Sequence, residues 1–102
     1  MVSYRKRHPF TYGEAEILGL KALAFLAEDD ARLGQFMTLT GISADVLRTS
    51  AGSADVLQAV LEHLSRDEAL LLVFAETTSL APEDIASALY VLGGSTYSGY
   101  EQ

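Results

Sequence analysis

Apolar residues recur along this chain at spacings of three and four, a helical period, between segments marked by glycine, proline and capping residues. A first helix is predicted from about Gly13, running from Glu14 to Glu28. It is apolar almost all round, with Glu14, Lys21 and Glu28 seven apart on one stripe, and such encirclement predicts a buried helix. Asp29 and Asp30 can restart the chain as a second helix bearing Leu33, Phe36, Met37 and Thr40, which Gly41 stops. Ser43 caps a short third helix through Val46 and Leu47, ended by Ala51-Gly52. Ser53 caps a fourth to about Leu64, with a core stripe of Val56, Leu57, Val60, Leu61 and Leu64. Ser65 and Glu68 match a capping box for a fifth helix through Phe74. Pro82 suits the first turn of a sixth, which turns Ile85, Ala88, Leu89 and Leu92 inward and ends at Gly93-Gly94.

The pattern therefore predicts an all-α fold, a compact bundle of five or six short helices. Sliding the chain by 38 residues lays Leu23, Leu26, Asp29, Ala31, Leu33, Phe36 and Thr40 on Leu61, Leu64, Asp67, Ala69, Leu71, Phe74 and Thr78. Core positions, a cap acid and a helix-ending threonine are kept together, which predicts two copies of one three-helix unit that bury each other's faces. Residues 1–12 read as a mobile basic arm, with Phe10 and Tyr12 able to pack on the body. Residues 13–94 read as one helical domain, and 95–102 as a frayed tail.

Composition narrows the function classes. A chain of 102 residues with 49% hydrophobic content can build a modest core without disulfides or metal. The net charge is −7, and Arg5, Lys6 and Arg7 hold three of the seven bases, so beyond Arg7 four bases face 14 acids. Such a body repels nucleic acid and anionic membrane. The absence of cysteine excludes disulfide frameworks, thiolate nucleophiles and most structural zinc sites, and fits a reducing compartment. Glu14, Glu16 and Lys21 break any likeness of the N-terminal region to a signal peptide. The longest other apolar run, Ala69 to Ala75, is far short of the ~20 residues that span a bilayer. The expected setting is cytoplasmic.

Three constellations carry candidate chemistry. The run from Phe36 to Leu47 imitates a helix-turn-helix through Gly41-Ile42, but Ser43 to Ser50 offers one Arg and one Asp where a DNA reader needs a basic helix. His63 with Glu62 and Asp67 suggests an acid–base or metal cluster, yet supplies too few ligands, and its match to Phe25 in the repeat favours a packing role. The carboxylates at Asp29, Asp30, Asp67, Glu68, Glu83 and Asp84 fall at predicted helix starts, where the dipole accounts for them. No phosphate-binding loop, nucleophile elbow or zinc-protease motif occurs, and no cofactor or metal is implied. The feature left over is excess apolar surface on the fifth helix. There Leu70 and Val73 replace Arg32 and Gln35 of the second, and Leu72 lies on the side bearing Glu68 and Glu76. Leu70, Leu72 and Val73 are the candidate partner surface, to be covered by the first helix, another protein or a second copy.

The runs Ala22-Leu23-Ala24-Phe25-Leu26-Ala27, Arg32-Leu33-Gly34-Gln35-Phe36, Thr40-Gly41-Ile42 and Asp67-Glu68-Ala69-Leu70-Leu71, with Pro82-Glu83 ahead of Gly93-Gly94, carry a likeness over Glu14 to Gly94. In these the chain resembles a family of short all-helical alphaproteobacterial proteins known as a domain of unknown function. The resemblance implies an α-helical fold and a cytoplasmic setting, with no site residue to transfer. Ala81 departs from it, standing where an acid or hydroxyl cap usually precedes Pro82, so the last helix is expected to start less firmly. The functional expectation is a non-enzymatic protein-interaction or small regulatory module. A nucleic-acid regulator using the Gly41 corner is the alternative, and an enzyme ranks below both.

Overall fold

The structure, a computed structural model, describes residues 10–101, with side chains described for residues 10–93. Among the described residues there are six helices and no strand: α1 (Tyr12–Ala27), α2 (Asp30–Thr40), α3 (Ala44–Ser50), α4 (Ala54–Ser65), α5 (Glu68–Thr78) and α6 (Pro82–Glu101). The fold is an all-α bundle.

Each start is fixed by a short-range cap. Thr11 and Glu14 form a reciprocal capping box at α1, and Asp29 accepts from the Ala31 and Arg32 N–H groups at α2. Ser43 and Ser53 accept from Val46 and Val56 at α3 and α4. The expected Ser65 box does not form. Ser65 completes the last turn of α4, its hydroxyl donating to the Leu61 carbonyl, and Asp67 caps α5 by accepting from the Leu70 N–H. Asp67 takes the cap because α4 runs one residue past Leu64 and draws Ser65 into its own last turn. At α6 the missing cap at Ala81 is made good from inside the helix, where Asp84 accepts from the Ala81 N–H at 3.0 Å.

The core gathers α1, α4 and α6, with α2 against α1 and α4, and α5 against α4 and α6. The predicted stripe of α4 is buried throughout, joined by Phe36, Phe74, Leu26 and Ile85. The first helix differs from its expected full burial. Ala15, Leu18, Ala22, Phe25 and Leu26 face the core, while Ile17 and Leu20 on its far side are about half exposed, at 55% and 44%. Phe10 packs against the core, and Tyr12 stays largely exposed. Basic residues Arg5, Lys6 and Arg7 lie outside the described residues.

The 38-residue shift is visible in the architecture. It carries the limits of α2 onto those of α5 and the start of α3 onto that of α6. Thr40 and Thr78 donate their hydroxyls to the carbonyls of Phe36 and Phe74, at 2.7 and 2.8 Å. Phe25 meets Phe74 with ring centroids 5.2 Å apart, and the exchanged pair, His63 and Phe36, meets at 5.3 Å. Gly19 and Leu57, themselves 38 apart, touch where α1 crosses α4: a Cβ on Gly19 would stand 3.0 Å from Leu57 Cβ. Exchange of the two halves maps this contact onto itself and the Phe25–Phe74 contact onto His63–Phe36, the pattern of a two-fold relation.

The correspondence stops at the third helices. α3 has 7 residues and buries none of them, whereas α6 has 20 and packs on both α1 and α4. Gly93 does not end α6 as expected; its backbone runs helical to Glu101. A Cβ at Gly93 would come within 2.8 Å of Gln58 Nε2, so the Gln58 amide of α4 lies over this position. The side chains of the expected tail, 95–102, lie outside the described residues.

Candidate functional site

Two regions draw together the residues singled out in the sequence. The first is the outward face of α5. Its inward face is set by Phe74 and Ala75, both buried, with Leu70 and Leu71 packed partly against the core. Leu70 therefore belongs to the interior side, as does its repeat counterpart Arg32, whose guanidinium lies 4.2 Å from the Phe25 ring centroid and donates to the Phe25 carbonyl. That equivalence was legible in the 38-residue shift. Leu72 and Val73 point away from the bundle, 48% and 44% exposed, beside exposed Ala69 and Glu76. The first helix does not cover them; its Phe25 reaches only the inner side of α5, at Phe74. Full burial of one such side chain is worth ~1.5–3 kcal/mol, so half-exposed Leu72 and Val73 are tolerable in a monomer and rewarding to cover.

The second region is a cleft of about 760 Å³ between the C-terminal part of α2 and the α4–α5 junction. His63, Glu62 and Asp67 all line it, together with Arg66 and Glu68. Glu62 and His63 are carried by the last turn of α4 and Asp67 by the tight connection to α5. The imidazole is only 9% exposed and stands edge-on to Phe36. Its pKa lies below the usual 6.5, chiefly because burial disfavours the charged ring; Asp67 opposes the shift and Arg66 adds to it. The three residues line one cleft, but among the described residues no hydrogen bond joins the His63 ring to Glu62 or Asp67, and Asp67 Oδ1 accepts from the Leu70 N–H. Among the described residues no group of three or more His, Cys, Asp or Glu could hold a metal ion.

The helix-turn-helix-like corner is a surface element. Gly41 takes the left-handed conformation at φ 78° and Ser43 caps α3, but Arg48, the one base of α3, is ion-paired to Asp45 at 2.6 Å. Behind it a shallow apolar recess of about 340 Å³ is floored by Leu23, Leu33, Met37 and Leu47. Among the described residues no helix is long and apolar enough to cross a membrane. Sequence reasoning missed the exposure of Ile17, Leu20, Leu39 and Tyr90, because a pattern apolar on several sides does not say which side meets the core.

The chain belongs to the family described as "Protein of unknown function (DUF3572)", whose model matches residues 13–95. No curated protein and no solved structure matches it.

Proposed function

We propose that this family member is a non-enzymatic protein-interaction module of the cytoplasm, small and regulatory in character, which engages another protein or a second copy through the outward face of α5. The observation that carries the reading is the side-by-side exposure of Leu72 and Val73 on a helix whose repeat counterpart bears Gly34 and Gln35 at the same positions. The same helix thus exists twice in one chain, once with a polar or bare outer face and once with an apolar one, and folding explains only the shared inner face. An acidic body with its α3 base tied to Asp45 supports a protein partner over nucleic acid.

Sedimentation of wild type and Leu72→Glu at matched concentrations tests this, with circular dichroism as the check on folding. The expected result is concentration-dependent association of wild type that the folded variant loses. Unfolding of Leu72→Glu would show Leu72 to be core. A wild type that stays monomeric to high micromolar concentration removes self-association, leaving a heterologous partner on the same face.

A further inference from the structure

We propose that the cleft over His63 is a binding site for a small organic cation, an ammonium group carried on an apolar body. The proposal does not depend on the α5 reading, because neither Leu72 nor Val73 lines the cleft. His63 is nine-tenths buried, yet no described residue accepts from or donates to its ring; its one specific contact is the edge of Phe36. No described side-chain nitrogen or oxygen is both buried and unpartnered, so the ring nitrogens keep their access through the cleft they line. An imidazole whose body is held in the core and whose nitrogens open only to the cleft is placed to bond whatever polar group the cleft admits.

The chemistry of the walls selects the ligand. Leu39 and Ile42 give one side an apolar lining, and Leu39 is exposed without one. On the other side stand Glu62, Asp67 and Glu68 against the single Arg66, and none of them is ion-paired with a described residue. With the imidazole neutral, the lining carries a net charge of −2, the balance of three acids and one base. The C-terminal end of α4 and the N-terminal end of α5 meet at this junction with opposite dipole ends, so the charge that selects the ligand is that of the carboxylates. An anion would meet three carboxylates, and a purely apolar guest would strand the imidazole. A cation with an apolar body satisfies both walls, and the cleft volume suits a small ligand.

The test uses the full chain and follows the His63 ring resonance by NMR, with His8→Gln separating it from the other histidine. The probes are benzylammonium, benzyl alcohol and benzoate. Benzylammonium is expected to shift the resonance saturably at millimolar concentration, with benzyl alcohol several-fold weaker and benzoate inert. Glu62→Gln/Glu68→Gln is expected to weaken benzylammonium roughly two- to tenfold, the range for two solvent-screened charge contacts. Should that double variant fail to fold, the wild-type titration at high salt gives the same reading, since salt weakens only charge-driven binding. No saturable shift, an equal response to benzyl alcohol, or an affinity indifferent to both the double variant and salt would overturn the proposal.

Discussion

Helices α2 and α5 each begin on an aspartate cap, run for 11 residues, bury one phenylalanine and tie a threonine hydroxyl back to that phenylalanine's carbonyl. Both hand the chain on through a left-handed residue, Gly41 at φ 78° and Ser79 at φ 60°. They part company on the outside, where Gly34 and Gln35 of one face Leu72 and Val73 of the other. Shared inner faces reflect the shared demand of filling the space beside the α1–α4 crossing. Outer faces answer to no such demand, so a difference there calls for a cause outside the fold.

The rings at the two cores give the largest test of this equivalence. Phe36→Ala and Phe74→Ala should each cost ~3–5 kcal/mol in chemical denaturation, because both side chains are fully buried. Matched losses would mark the two contacts as equivalent. A much smaller loss for Phe36, whose neighbour is a histidine open to a cleft, would mean that the first half relaxes around the cavity.

Caps come next. Asp29→Ala and Asp67→Ala should each lose ~1 kcal/mol in thermal or denaturant unfolding, the usual worth of an N-cap carboxylate. Asp29 accepts from two N–H groups and Asp67 from one, so the first is expected to lose slightly more. Reversal of that order would break the correspondence between cap geometry and stability.

The left-handed exits should respond in opposite directions. Gly41→Ala is expected to destabilise by ~1 kcal/mol, since a Cβ is strained at that φ. Ser79→Gly should stabilise by only ~0.5 kcal/mol, because relief of the same strain is offset by a freer unfolded chain. Melting temperatures of the two variants read both signs.

The smallest effect at neutral pH concerns His63, whose counterpart is Phe25. Its folded pKa lies below 6.5, so the unfolded chain takes up a proton first as pH falls. Stability linked to the neutral ring is intact above about 6.5 and is lost as pH drops below it, until the folded imidazole itself protonates. His63→Phe should match wild type near pH 7 and lack this acid-side loss. Parallel stability curves for the two proteins down to pH 5 would show that the ring titrates freely in the fold.

Much of this architecture follows from neighbours in the chain. Asp29, Ser43 and Ser53 satisfy N–H groups two or three residues on, and Gly41 reaches back to the Met37 carbonyl, so these boundaries need nothing distant. The α4 stripe is equally legible, because five apolar residues on one side leave a single face to bury. The 38-residue similarity likewise announced the matching of α2 with α5. Other features depend on what arrives from elsewhere. Ser65 was taken into the end of α4, so its expected cap role passed to Asp67, and α6, which packs on α1 and α4, runs on through Gly93. The inward face of α1 was chosen by the Gly19–Leu57 crossing and the Phe25–Phe74 contact, partners more than thirty residues away. Leu70 went inward and Leu72 outward by the same rule, and the His63 cleft exists only because α2 and the α4–α5 junction stand apart around it. Local hydrogen bonds are satisfied within a turn and can be read along the chain, whereas which side of an apolar helix is buried is decided by the surfaces that meet it in space.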